Sequence, residues 1–514
     1  MPTNIVVFSD GTGQDGGVRP EQRLSNVYKI YRACRVGADN SIDPRQQVSF
    51  YDAGLGTDIG ATALTAPVRF VQKLLGSVTG RGITRNIADC YEFIINHYEP
   101  GDRIHLIGFS RGAYTVRCIA NLLMLCGIPT KTPEGQLPLF RMAIRDIAGE
   151  AIDTVLEHGA GHPRADFEAE RDELARRFRK KYGSDHESGE AGRSNAAPHF
   201  VGVFDTVAAL GASGFRWYAI WASLALGVTV GVSLVALLPS AIIAGVLHLW
   251  PGLSFWSTMF SLIAASVAGV GAYLWHKHRQ SCVKTIRDFP NPGDSHTHVA
   301  EWKGENFDRL LSKFVNYARS ANAIDETRKD FDRVAWGGVQ GGEPLVVDGH
   351  TRLVQLWFAG NHSDVGGSYD ETESRLSDIA LQWMVEEATK LPGGLIVAGQ
   401  KAPCDSSDNP KLRVFPSADG VQHCEVVGMQ DTIESKVPKW LQPYTGSLTY
   451  PVKMREIKPD ARVHPTVTER FALKSVTKCT GSGPYRPEAL AQHNDFKAYY
   501  MTSVVPNPEQ VTPA

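Results

Sequence analysis

Apolar positions along the chain fall into two alternating patterns. Short apolar runs occur at "NIVVF" (4–8), "QVSFY" (47–51), residues 103–107, within "PHFVGVFDTVAALG" (198–211) and within "RLVQLWFAGNHSDVGG" (352–367). Each reads as a buried strand that ends in a turn rich in glycine or aspartate. Between them lie stretches with helical spacing: "SNVYKIYRAC" (25–34) with a serine cap, "RNIADCYEFIINHY" (85–98), 111 to about 125, and "ESRLSDIALQWMVEEATK" (373–390). Strands alternating with helices of this length predict a parallel α/β sheet. Residues 135–190, which include "DFEAERDELARRFRKKY", read as a charged helical insertion with a solvated face and as a candidate lid. "GSVTGRG" (76–82) reads as a mobile loop, and it lacks the Lys-Ser/Thr of a phosphate-binding loop. Residues 395–460 have weak periodicity and predict short strands or loops without chemistry of their own. The tail after Tyr500 reads as a disordered end.

One stretch breaks the alternation. From Trp217 to Trp275 there is no Asp, Glu, Lys or Arg. A hydrocarbon core takes about 20 apolar residues per helix, so the run is long enough for two spans, placed near 219–246 and 254–275. "LWPGLS" is the turn between them, and tryptophans at 217, 221, 250, 256 and 275 fall near the ends, where an amphipathic ring favours the interface. Both ends of such a hairpin emerge on one side. Arg216, Lys277 and Arg279 mark that side as cytoplasmic, which predicts a catalytic domain on the cytoplasmic face of an inner membrane. The N-terminus "MPTNIVVFSDGT" has no basic segment ahead of an apolar run, so no cleaved signal peptide is expected.

Candidate chemistry centres on "IHLIGFSRGAY" (104–114), a Gly-x-Ser-x-Gly between a predicted strand and a predicted helix. A nucleophile elbow needs that setting: the glycines remove Cβ clashes so that a strained serine can project its hydroxyl above the sheet. Ser110 is the candidate nucleophile. Its acid and base should follow in that order along the chain. Asp205 ends an apolar run, as does the loop carrying His362, and the C-terminal ends of strands form the sites of α/β sheets. Asp364 could instead orient His362 or replace Asp205, and His464 in "ARVHPTV" is the rival base. For the oxyanion hole, one backbone N–H comes from Arg111 and a second from Gly11 or Thr12, in a loop that Asp10 would hold by bonding backbone N–H groups.

Composition narrows the alternatives. With 514 residues, 43% of them hydrophobic, the chain can bury a large core, and its net charge of −2 and scattered basic residues exclude a nucleic-acid partner on electrostatic grounds. The eight cysteines contain no C-x-x-C pair, which predicts reduced core thiols and neither a disulfide framework nor a metal site. No cofactor is expected. "VVFSDGTG" resembles the first motif of haloacid-dehalogenase phosphatases, but Phe8 stands where their nucleophilic aspartate belongs, so no aspartyl-phosphate can form.

The ordered set "FSDGTGQ", "YDAGLGT", "RNIADCYEFI", "HLIGFSRGAYTVRCIANLL", "VGVFDTVAALG", "ANAIDETR", "LWFAGNHSDVGG" and "LSDIALQWM" resembles the type VI secretion lipase effector catalytic domain, across most of residues 3–390 apart from the charged insertion and the apolar hairpin. "VHPTV" and "YRPEAL" resemble its C-terminal elements. The resemblance implies an α/β-hydrolase-like, mostly parallel sheet flanked by helices, with Ser110 as nucleophile, Asp205 as acid and His362 as base. Asn361 departs from the family pattern, where an apolar residue is usual before the histidine. The chain then divides into a first hydrolase part (1–212), a transmembrane hairpin (213–280), a second hydrolase part (281–394) and C-terminal elements (395–514). Asp205 is twelve residues from Trp217, so the acid lies within roughly 40 Å of the bilayer edge. The expected activity is therefore a phospholipase A-type serine esterase on membrane lipid, with an immunity or secretion protein as a candidate partner. The competing expectation is a non-catalytic, membrane-anchored interaction module on a hydrolase scaffold.

Overall fold

The computed structural model describes residues 2–14, 16–17, 23–54, 81–190, 192–207, 215–302, 310–339, 345–398, 400–401, 405–406, 412–426, 451–479 and 481–501. Six strands make the central sheet: β1 (Asn4–Ser9), β2 (Gln47–Asp52), β3 (Arg103–Phe109), β4 (Pro198–Phe204), β5 (Tyr317–Ala323) and β6 (Leu353–Phe358). Their order is β6-β5-β4-β3-β1-β2, and every pairing is parallel. The strands therefore all point one way, and their C-terminal ends line one edge.

Both faces of the sheet are covered, which is why β1, β3 and β4 read as near-continuous apolar runs. Ile5, Val7, Ile104 and Leu106 pack on one face against α2 (Arg81–His97) and α3 (Arg111–Cys126). Val6, Phe8, Ile107 and Phe109 face the other way, onto α1 (Asn26–Cys34) and a helix over Arg375–Thr389. Ser25 caps α1 by accepting the Tyr28 N–H, as its sequence predicts.

Sequence periodicity missed β5. Its residues "YARSANA" include Arg319, Ser320 and Asn322, yet every one is buried. Arg319 can sit there because its Nε pairs with Glu387 and its Nη1 donates to the carbonyls of Ala318, Thr351 and Arg352. A polar run at the centre of a sheet is legible only once those partners are known.

The charged insertion folds as helices over Met142–Glu150 and Glu168–Tyr182. Its apolar side chains, among them Ile144, Ile152 and Phe178, enter the same core as α3. The apolar stretch forms two helices, Phe215–Leu247 and Phe255–Cys282, which pack on each other. A short antiparallel pair, Val283–Arg287 with Ser295–Val299, follows directly. Cys34, Cys90, Cys118 and Cys126 are buried free thiols, as expected. Cys424 and Cys479 correct that expectation, because a disulfide joins them and ties the segment after His423 to the turn between Val476–Lys478 and Gly481–Gly483. Residues 76–80 of the predicted mobile loop and the tail beyond 501 lie outside the described residues.

Candidate active site

The C-terminal edge of the sheet gathers the predicted chemistry. Phe109 at the end of β3 and Phe204 at the end of β4 are register partners, so Ser110 and Asp205 leave adjacent strands at the same level. Ser110 has φ 58° and ψ −122°, strained for a residue with a Cβ, and it is buried. Its backbone is held by its own N–H donating to Phe204 O at 3.1 Å and by Tyr114 N–H donating to its carbonyl at 3.3 Å. The flanking glycines are sterically required. A Cβ on Gly108 would lie 2.5 Å from Gly112 O, and one on Gly112 would lie 2.1 Å from Ser9 O. The elbow is thus the sharp strand-to-helix turn that the sequence predicts.

His362 is the first residue of a short helical turn, His362–Gly366, that follows β6. Asn361 caps this turn: its side chain accepts the N–H groups of Ser363 and Asp364, and Asp364 returns the bond to the Asn361 N–H. That accounts for a polar residue ahead of the histidine. The His362 ring lies between Phe109, stacked at 4.6 Å, and Phe331, edge-on at 5.0 Å. Its Nδ1 meets Asp205 Oδ2 at 2.7 Å, and its Nε2 is buried with no hydrogen-bond partner among the described residues. With Nδ1–H donating to the carboxylate, Nε2 carries the lone pair.

Asp205 is fully buried, and its Oδ1 accepts the Ala323 N–H at 3.1 Å. Burial alone would push its carboxyl up. The Arg455 guanidinium, 2.8 Å from Oδ2, and the His362 ring outweigh that and hold it at about 2. Asp205 is therefore a carboxylate at neutral pH. Arg455 corrects the expectation that 395–460 has no chemistry. No local signal could have pointed to it, because its contact spans 250 residues of chain from a segment without periodicity.

The remaining expectations resolve differently. Asp364 does not reach His362; besides closing the cap, it accepts His423 Nδ1 at 2.7 Å. His464 caps the helix Pro465–Ala472 and stacks on Phe358 at 4.8 Å, with burial lowering its basicity to about 4. Of the three oxyanion donors, the Gly11 N–H is already engaged by Asp10 Oδ1 at 2.7 Å, which leaves Thr12 and Arg111 as the candidates. Asp10 also accepts the hydroxyls of Ser25 and, at 2.7 Å, Tyr51, and so pins the loop.

The profile of the T6SS phospholipase effector Tle1-like catalytic domain matches residues 3–231 and 278–387. The chain belongs to this family. The match includes the charged insertion, which carries none of the family-like motifs, and omits most of the apolar hairpin. An uncharacterised protein of Saccharomyces cerevisiae is 23% identical over 467 residues, which are 83% of this chain and 64% of that protein. Two solved structures overlap weakly. An uncharacterised Pseudomonas aeruginosa protein is 15% identical with a TM-score of 0.31, over 77% of this chain and 47% of that one. A Tle1 effector bound to the VgrG spike of the type 6 secretion system is 16% identical with a TM-score of 0.28, over 73% and 53%. The chain thus spans roughly half to two thirds of the proteins it matches.

Proposed function

We propose that this Tle1-like domain is a membrane-associated serine hydrolase that cleaves carboxylic esters of glycerophospholipids. The observation that carries the reading is the Asp205–His362 pair, with an unpartnered, buried Nε2 on the same sheet edge as a strained Ser110. Ser110 Oγ attacks the ester carbonyl and His362 Nε2 takes its proton. Asp205, kept ionised by Arg455, stabilises the resulting imidazolium. The N–H groups of Thr12 and Arg111 hold the oxyanion, helped by the positive end of α3. His362 then returns the proton to the leaving alcohol, and water releases the acyl group. The contact between Ser110 Oγ and His362 Nε2 forms as the substrate binds, since catalytic hydrogen bonds commonly tighten only then.

Membrane association rests on the hairpin. Its apolar spans, Ala225–Leu247 and Phe255–Cys282, have mean hydropathies of 2.4 and 1.5, and only 11% and 6% of an 18-residue apolar window in each is buried within the protein. Leu238 and Trp250 are 70% and 72% exposed. Such a surface needs an apolar solvent. At 1.5 Å per residue, helices of 33 and 28 residues run about 50 and 42 Å, more than the roughly 30 Å of a bilayer core. Asp205 and Phe215 are ten residues apart, so the acid lies within about 36 Å of the first helix. A lipid ester is then at high effective concentration.

The test is fatty-acid release from phospholipid vesicles by the detergent-purified protein and its Ser110→Ala variant in parallel. Release by the parent alone supports the reading, and the freed chain identifies the ester cut. Silence from both, with short-chain nitrophenyl esters also untouched, overturns it in favour of an anchored, non-catalytic module.

A further inference from the structure

Three histidines outside the candidate active site cluster around one carboxylate. His158 and Glu170 belong to the charged insertion, while His296 and His298 alternate along the strand Ser295–Val299 and so share a face. Glu170 Oε2 meets His158 Nε2 at 2.6 Å, and Oε1 meets His296 Nδ1 at 2.6 Å. One ligand atom from each of His158, Glu170 and His298 lies within 4.8 Å of the other two.

Two features distinguish this cluster from an ordinary hydrogen-bond network. First, His298 Nε2 bonds the His158 carbonyl oxygen at 2.6 Å. A carbonyl can only accept, so Nε2 carries the proton and Nδ1 carries the lone pair. That Nδ1 is buried and has no hydrogen-bond partner among the described residues. A ring nitrogen whose tautomer is fixed by a bond from the other nitrogen to a carbonyl is how metal-binding histidines are prepared. Second, Phe167 stacks on the His298 ring at 3.8 Å and fixes its plane.

We propose that His158, Glu170 and His298 bind a zinc ion, with water in the fourth position. Two imidazoles and one carboxylate are a donor set suited to Zn2+. Tetrahedral bonds of about 2.0–2.1 Å bring the donors to roughly 3.4 Å from one another. Side-chain rotation closes the difference, and the proton on His158 Nε2 moves to Nδ1 through solvent, which frees Nε2 for the ion. The ion would join the insertion to the strand pair that begins where the second apolar helix ends at Cys282, and so fix the hydrolase body against the base of the hairpin. His278, Cys282 and Glu301 form a second group of metal-ligand type nearby and provide the internal control.

The experiment uses the full chain in detergent micelles, stripped with a chelator and titrated with Co2+ and then Zn2+. The expected result is one equivalent of cobalt with the visible absorption of a four-coordinate site, displaced by zinc, and a zinc-dependent rise in the thermal midpoint. Loss of partners beyond the ligands themselves already costs roughly 10–100-fold in metal affinity. His298→Ala and Glu170→Gln should therefore each weaken binding by about 100-fold or more. Glu170→Gln keeps the volume and a hydrogen-bonding amide, and an unchanged far-UV circular dichroism spectrum shows that it folds. Absence of stoichiometric binding to the parent overturns the proposal. So does binding that survives both variants, or binding that is lost on Cys282→Ser and retained by His298→Ala.

Discussion

Asp205 and Asp10 end the two strands that flank the Ser110 strand, and they have opposite characters. Each is almost completely buried, at 0% and 2% exposure. Asp205 meets a guanidinium and an imidazole, and its carboxyl is held at about 2 against the penalty of burial. Asp10 meets only neutral donors, the Ser25 and Tyr51 hydroxyls and the Gly11 N–H, and burial wins, raising it to about 6. Asp52, at the next strand end, is bonded by Ser9 and Asn86 and is raised further, to about 7. Burial is common to all three, so it does not decide the role. An adjacent cation separates them: the Arg455 guanidinium helps keep the buried Asp205 carboxyl charged, and neither Asp10 nor Asp52 has such a partner. One side of Ser110 carries a charged carboxylate, and the other carries carboxyls held by neutral donors.

The comparison is tested most severely at Asp205. Asp205→Asn should lower kcat by about 10⁴-fold, because the amide can no longer hold the imidazole in its working tautomer. Ser110→Ala should cost on the order of 10⁶-fold. Both are read from fatty-acid release. A loss of tenfold or less for Asp205→Asn would mean that the carboxylate is not the acid of the triad.

Arg455→Met sharpens the same point, with a smaller effect on rate and a larger one on stability. Each unit by which the Asp205 carboxyl rises is worth 1.36 kcal/mol, so a shift of one unit expressed in the transition state lowers kcat roughly tenfold. Removing one partner of a buried pair typically costs about 3–5 kcal/mol of stability. Asp205 has a folded pKa below its unfolded value of about 3.9, so its stabilisation is present above that pH and lost as pH falls from about 4 towards 2. The variant should begin acid unfolding at a higher pH than the parent, as followed by circular dichroism. An unmoved acid limb would show that Arg455 does not set the charge of Asp205.

The two sides of Ser110 also differ in how far the sequence reveals them. The Ser110 elbow is local: an apolar strand, two glycines and a helix within some twenty residues, each with its own steric reason. Asp205 and His362 are legible by position, since each follows an apolar run and so must lie at the sheet's C-terminal edge. The apolar hairpin is legible from composition, and its helices extend a few residues beyond the boundaries that hydropathy suggests. Arg455 is hidden, because a lone arginine in an aperiodic segment has no signature until the fold brings it to Asp205. The strand "YARSANA" is hidden for the same reason, its polar residues being satisfied from Glu387 and distant carbonyls. His298 carries a faint signal in the His-x-His of "SHTHV", but its partners are more than a hundred residues away.

Asp10→Asn should have the smallest effect on rate and the most distinctive dependence on pH. The asparagine keeps one acceptor for the Gly11 N–H, so the loop carrying Thr12 is loosened without being released. The loss in kcat should stay below about tenfold, which is under 1.4 kcal/mol. Stability behaves oppositely to that of Arg455→Met. The folded pKa of Asp10, about 6, lies above its unfolded value of about 3.9. Its contribution is therefore fully present below pH 4 and lost as pH rises through 6. Two units correspond to about 3 kcal/mol. An asparagine cannot ionise, so the variant should lack this decline, and its thermal midpoint should fall less than the parent's between pH 4 and 7. Asp52 is unaltered and continues to contribute a decline of the same sign up to about pH 7, so the curve flattens without becoming level. A variant whose decline is as steep as the parent's would mean that Asp10 is already ionised in the fold. A 10⁴-fold loss of activity would go further and make Asp10, like Asp205, a charged member of the site.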